Sequence, residues 1–134
     1  MPLNIGGYKY DAKTKTFPVF INYDKGDDIQ DTIKYEDHFM TPNHLIAISK
    51  QSRTIQSEDV QNFLKAKERG IKVELFVRKN KDDKISKEFY YLGRMSATGS
   101  AKEFIMANTD KSAVEIDWIL DTPVREDIYE YITN

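Results

Sequence analysis

Short apolar stretches of strand length alternate with polar breaks along most of the chain, and a single internal stretch carries helical spacing. Phe17-Pro18-Val19-Phe20-Ile21-Asn22-Tyr23 is β-branched and aromatic, and Pro18 marks it as a strand start or an edge. A turn follows at Asp24 to Asp28, with Gly26 as its permissive residue. Thr32 to Glu36 alternates with period two, as a half-buried strand does. After a break at Pro42-Asn43, Leu45-Ile46-Ala47-Ile48 is continuously apolar, which suits a strand buried on both faces.

The helical stretch comes next. Ser57 is placed as an N-cap, Glu58 and Asp59 fall in the first turn, and Val60, Phe63 and Leu64 share one face. Lys65, Lys67 and Arg69 occupy the last turn and Gly70 supplies the left-handed stop. Ile71 to Val77 then predicts a strand, Arg78 to Lys87 a polar hairpin loop, and Phe89 to Met95 the returning strand. A Gly/Ser/Thr-bearing loop at Ser96 to Ser100 separates this from a short strand at Glu103 to Met106 and a turn at Asn108 to Lys111. Val114 to Leu120 alternates strictly, Pro123 closes it, and Arg125 to Thr133 predicts a short terminal helix.

About six strands with one well-capped helix predict an α+β domain. Its twisted, mixed sheet would be partly closed or a small barrel, with that helix packed on it and a short C-terminal helix. Closure would remove the exposed edges that are a hazard in a strand-rich chain. The 134 residues form one domain by this reading, 1–134, with 1–16 as a poorly ordered lead-in.

Composition narrows the class. The chain is 40% hydrophobic and 31% charged, a globular balance, and no stretch approaches the ~20 apolar residues of a membrane span. Cysteine is absent, which excludes disulfides and thiolate zinc sites. The start at Met1-Pro2-Leu3-Asn4 has no signal-peptide character, so a cytoplasmic location is expected. The net charge of −2 gives no whole-chain support to nucleic-acid binding, but the charge is segmented. Lys65 to Lys87 holds nine Lys or Arg against four Asp or Glu, while Asn22 to Met40 holds two against six and Val114 to Asn134 one against six. The basic strip is equally a solvated Lys-rich face or a binding footprint.

Catalytic chemistry finds few candidates. His38 and His44 flank the Pro42-Asn43 break and would need Glu36 or Asp37 to complete a metal site, so no metal is assigned. There is no Gly-x-Ser-x-Gly elbow, and Gly93 to Gly99 has neither the spacing nor the Lys of a phosphate loop. A metal-dependent nuclease would have to use Glu74 with Asp37, Glu36 or Lys72, yet Glu74 alternates like an outward-facing strand residue. No catalytic residue and no cofactor is expected.

Ser49-Lys50-Gln51-Ser52-Arg53-Thr54 is more informative, since it joins a strand to a helix N-terminus and every side chain in it can hydrogen-bond. Arg53 could clamp a phosphate or base edge bidentately, or the segment could be an ordinary capped loop. Tyr23, Tyr35, Phe39, Tyr90, Tyr91 and Trp118 lie in or beside strands, where an aromatic is either core or a surface on which a base could stack. Alternation sends Tyr90 and Tyr91 to opposite faces.

The order of these segments resembles the domain of unknown function at the C-terminus of bacterial superfamily 2 helicase proteins, often behind a phospholipase-D-like nuclease. The matching residues are Phe17 to Lys25, Tyr35-Glu36-Asp37-His38-Phe39, Ser49 to Thr54 with Ser57, Leu75 to Lys79, and Phe89 to Gly93, closed by the strand ending at Leu120 with Pro123. Members of that family often carry a Trp and a polar residue where this chain has Ala47-Ile48. The resemblance implies a PUA/SRA-like module in a DNA-defence or restriction setting. Its partners would be duplex DNA carrying a modified base and the helicase and nuclease domains that perform the chemistry.

The expectation is therefore a non-catalytic DNA-binding module that makes no membrane contact. Ser49, Lys50, Gln51, Ser52, Arg53 and Thr54 would contact phosphate or base edge. Lys72, Arg78 and Lys79 would add phosphate attraction, and Tyr35, Tyr91 or Trp118 would line a base pocket. The alternatives are a domain that docks on or inhibits its helicase, favoured by the acidic ends, and a metal-dependent nuclease.

Overall fold

In a computed structural model, residues 7–22, 37–78, 89–106 and 110–133 are described. The expected turn at Asp24 to Asp28, the strand at Thr32 to Glu36 and the loop after Arg78 lie outside them, as do Tyr35 and Lys79. The strands are β1 (Gly7–Tyr8), β2 (Thr16–Asn22), β3 (His38–Thr41), β4 (His44–Ile48), β5 (Lys72–Arg78), β6 (Tyr90–Ile105) and β7 (Ser112–Leu120). They form one mixed sheet in the order β1-β2-β5-β6-β7-β4-β3, in which only β2 and β5 run parallel. The remaining elements are the helices α1 (Glu58–Leu64), α2 (Ala66–Arg69) and α3 (Glu126–Thr133).

Alternation decides what each strand buries. β7 sends Val114, Ile116, Trp118 and Leu120 inward and leaves Ile119 exposed, and β5 buries Val73, Leu75 and Val77. β4 alternates too: Leu45 and Ala47 are buried, whereas Ile46 and Ile48 are only half-buried. The expectation of burial on both faces fails because nothing among the described residues covers the outer side of β4 fully. Pro18 fits inside β2 because β1 pairs only with Val19 and Phe20 and leaves the strand an edge at Pro18 on that side.

The helix begins after Ser57 as its residues require, although Ser57 Oγ accepts the Thr54 amide at 2.9 Å instead of a helix amide. It breaks at Lys65, and α2 ends at Gly70, whose φ of 70° is the left-handed stop. Val60 and Phe63 enter the core, where Phe63 stacks on Phe17 at 4.2 Å and meets Trp118 edge-on at 5.2 Å.

Two expectations are corrected by the chain's path. Ser96 to Ser100 is no loop: β6 runs unbroken for 16 residues, with a bulge between Ala97 and Ala101 and Gly99 at φ 100° absorbing the bend. The supposed lead-in is structural from Gly7 onward, since Tyr8 is buried in the core and Asp11 bridges to Thr16.

The β1 end of the sheet meets the loop that follows β4. Lys50, just past β4, donates its backbone amide to the Tyr8 hydroxyl at 3.0 Å and its ammonium to the Tyr8 carbonyl at 2.9 Å. Side chains, not a strand ladder, close this seam. The result is an α+β, partly closed sheet filled by the core residues, with α1 bonded to the seam through Asp59 and Ile132 of α3 buried in the same core.

Candidate nucleic-acid interface

The seam opens into a cleft of about 610 Å³, lined among others by Tyr8, Tyr10, Phe17, Lys50, Arg53 and Asp59. Each element contributes by necessity. Tyr8 of β1, Tyr10 just after it and Phe17 of β2 bring aromatic side chains to the cleft. The loop after β4 must turn onto α1, so its polar side chains form one wall, and the first turn of α1 supplies Asp59.

The loop itself is pinned to β7. The Ser52 and Arg53 amides both donate to the Ser112 carbonyl, at 2.7 and 3.3 Å, and Ser112 Oγ returns a bond to the Arg53 carbonyl at 2.7 Å. Ser49 Oγ accepts the Val114 amide at 2.8 Å. To make the turn Ser52 takes φ 62°, a left-handed conformation that costs a non-glycine residue about 1 kcal/mol.

The polar centre is one carboxylate. Asp59 Oδ2 accepts the Tyr8 hydroxyl at 2.6 Å and Arg53 Nε at 2.9 Å, while Oδ1 accepts the Val60 amide at 2.9 Å. Arg53 Nη1 reaches the Gln51 carbonyl at 3.2 Å. Burial alone would push the Asp59 carboxyl up, but the hydrogen bonds from Tyr8 and Arg53 outweigh it and hold the group below its ordinary range. Burial, then the bond to Asp59, drive the Tyr8 hydroxyl far upward, so it stays a donor. The bond to Asp59 raises Arg53, which stays charged and is 35% exposed at the mouth. Lys50 lies over the Tyr8 ring at 4.6 Å, and Lys9 adds an exposed cation to the rim.

Of the residues singled out from sequence, Lys50, Ser52 and Arg53 line the cleft. Ser49 and Thr54 are spent on the loop: Thr54 Oγ1 accepts the Gln56 amide at 3.2 Å, and Ser49 ties to β7. Gln51 is exposed and offers its carbonyl to Arg53.

The rest do not gather there. Lys72 and Tyr91 are exposed on the outer face of the sheet, where Tyr91 donates to Glu74 at 2.6 Å and Arg94 pairs with the same carboxylate at 3.2 Å. Glu74 is thus engaged on the outer face and Asp37 accepts the Ile48 amide, while Glu36, the other carboxylate of the nuclease alternative, lies outside the described residues.

Arg78 is not a surface cation; it is 3% exposed with its guanidinium 4.6 Å from the Phe89 ring centre. Trp118 is not a pocket residue either, being 1% exposed. The space beside it, about 20 Å³, is lined by Tyr8, Val19, Ala47 and Phe63 among others and is far too small for a base. Ala47, where the resemblance carries a Trp, also faces this interior space, so its identity bears on packing more than on the cleft.

Sequence reasoning missed Tyr8, Tyr10 and Asp59. Tyr8 and Tyr10 fall in the segment read as a lead-in, although the pair, with Phe17, is spaced as one aromatic face around the Asp11–Thr16 turn. Asp59 was accounted for by the helix dipole, yet its position six residues after Arg53 was an available signal for an ion pair.

The same architecture occurs in solved structures. The SRA domain of SUVH5 in complex with hemi-methylated CG DNA matches with a TM-score of 0.55 at 12% identity, covering 90% of this chain and 75% of that one. Its complexes with fully methylated CG DNA and with methylated CHH DNA match at 0.52 and 0.51, with 10% and 11% identity, 90% of this chain, and 77% and 75% of theirs. At such identities the likeness is one of fold. No curated protein matches this chain in sequence. The model of one family does, over residues 1–132, and the chain accordingly belongs to the domain of unknown function DUF3427.

Proposed function

We propose that this domain is a non-enzymatic DNA-binding module that reads a modified base, and that the cleft at the seam is its reading site. The observation that carries the proposal is the Arg53–Asp59–Tyr8 cluster in an open cleft with an aromatic floor and two further cations, Lys9 and Lys50, at its edge. The SRA architecture, seen in SUVH5 bound to methylated DNA, supports the same reading.

The chemistry follows from the parts. A base within a duplex presents only its edges, so a pocket that inspects a whole base takes it out of the stack at a cost of a few kcal/mol. The cleft offers a return on that cost. Tyr10 gives a flat apolar surface, the ionised Asp59 accepts hydrogen bonds, and Arg53 and Lys9 attract the phosphates beside the extruded nucleotide. Only part of the basic strip contributes, since Arg78 is internal and Lys72 lies on the outer face. Base contacts, more than bulk charge, would set affinity. In the wider setting the module would select DNA for helicase and nuclease domains of a cytoplasmic restriction-type protein.

Fluorescence anisotropy against matched duplexes tests this, using unmodified, methylated, hydroxymethylated, glucosylated and phosphorothioate DNA at low and moderate salt. Tight binding to one modified duplex, lost in Arg53→Ala, is the expected result. Weak binding to all of them with a steep salt dependence reduces the function to phosphate attraction. No binding to any duplex refutes the proposal in favour of a docking domain, for which the exposed acids Glu126, Asp127 and Glu130 of α3 would be the contact surface.

A further inference from the structure

The ring and the hydroxyl of Tyr8 do separate work. The ring is buried, edge-on to Phe17 at 5.4 Å and to Phe63 at 4.9 Å, and phenylalanine would fill that space equally well. The hydroxyl joins three distant parts of the chain at one oxygen: it sits on β1, donates to Asp59 of α1 at 2.6 Å, and accepts the amide of Lys50 in the loop at 3.0 Å. Asp59 is thereby held at both ends, through Oδ2 by Tyr8 and through Oδ1 by Val60. Arg53 Nε lies against the same Oδ2, and the Gln51 carbonyl takes Nη1, so the guanidinium is held at two points, one of them the carboxylate that Tyr8 fixes.

We infer that Tyr8 is the positioning residue of the cleft: its hydroxyl fixes Asp59, and through Asp59 it aims the Arg53 guanidinium at the ligand. The inference rests on the reading of the cleft as the DNA site and assigns a division of labour within it. Without the hydroxyl, Oδ2 keeps one donor, the carboxylate can turn about its own bond, and the half-exposed Arg53 side chain gains further rotamers. The direction of the Tyr8–Asp59 bond is also settled chemically, because burial keeps the phenol protonated while Asp59 is held ionised.

The test is Tyr8→Phe in the full chain, with Asp59→Asn alongside, read in two independent ways. The first needs no ligand: the Arg53 Nε–H resonance, protected and well dispersed in the wild type, should exchange faster and collapse toward free arginine in both variants. The second is discrimination between the preferred modified duplex and the unmodified one, which should fall about tenfold in Tyr8→Phe, as for one lost charge-assisted hydrogen bond, with a thermal midpoint lowered but the variant still folded. A double-variant cycle on discrimination should be strongly non-additive.

An Arg53 resonance unchanged in Tyr8→Phe overturns the inference, as does discrimination that survives the variant. If Tyr8→Phe does not fold, Asp59→Asn carries both readouts, and an unaltered Arg53 signal there overturns it equally. Wild-type protein that binds no duplex, with the Arg53 signal still lost in Tyr8→Phe, refutes the reader function and leaves the positioning role standing.

Discussion

Trp118→Ala separates the core from the cleft, because an aromatic strand residue of this kind could serve either. Trp118 is the sole tryptophan, is 1% exposed, and packs against Phe63 beside a space of only about 20 Å³. A buried tryptophan withdraws about 150–250 Å² from water. At roughly 25 cal/mol per Å² that is about 4–6 kcal/mol, of which the remaining methyl group retains a little, so a loss of about 3–5 kcal/mol is expected. Domains of this size are stable by about 5–15 kcal/mol, so the variant should be barely folded or lose on the order of 10–20 °C in thermal midpoint. Urea unfolding followed by circular dichroism measures the loss. Emission from the single indole gives a second view: in the wild type it should be blue-shifted, resistant to iodide and indifferent to added duplex. A loss below about 1 kcal/mol, or iodide quenching that DNA suppresses, would place Trp118 at the ligand surface and refute the assignment.

Acid should weaken the domain through Asp59. Its folded pKa lies below the unfolded value of about 3.9, so its stabilising contribution is complete above that value and lost as pH falls through the depressed folded value. A stability–pH profile should therefore drop below about pH 4, and Asp59→Asn should be less stable at neutral pH and flatter in that range. Gly70→Ala should cost about 1–2 kcal/mol in denaturant unfolding. The reason is backbone strain at φ 70° and not crowding, since an added methyl would meet only the tip of Lys15 at 3.7 Å. Tyr91→Ala and Lys72→Ala should leave discrimination between modified and unmodified duplexes intact, with at most about one unit of change in the salt slope for Lys72, because both lie on the outer face. A loss of discrimination in either would move the reading site away from the seam.

The elements that could be read from sequence are those whose local pattern and tertiary role agree. In β7 the alternation from Val114 to Leu120 is also the division between core and exterior, and in α1 the spacing of Val60 and Phe63 is the face that packs on Phe17 and Trp118. β6 misled because Ser96 to Ser100 has the composition of a turn, whereas in the sheet Gly99 serves a bulge that bends a continuing strand. Tyr91 and Trp118 share a residue class and a strand context. Only the curl of the sheet decides that one is outside and the other sealed in, and a local pattern does not contain that curl.

The candidate site was half legible for the same reason. Arg53 advertised itself through the polarity of its loop, but the carboxylate it bonds belongs to the helix, and the hydroxyl on that carboxylate belongs to the segment read as a lead-in. Bonds between residues 42 to 51 positions apart leave no local trace in the sequence. The described contacts across the seam are a phenol, an ammonium and a loop amide, and the seam opens on the outside into a polar cleft. Closure of the sheet and presentation of Arg53 thus share the same atoms. The side chains that bridge the seam, Tyr8 and Lys50, are thus also lining residues of the cleft in which Arg53 stands.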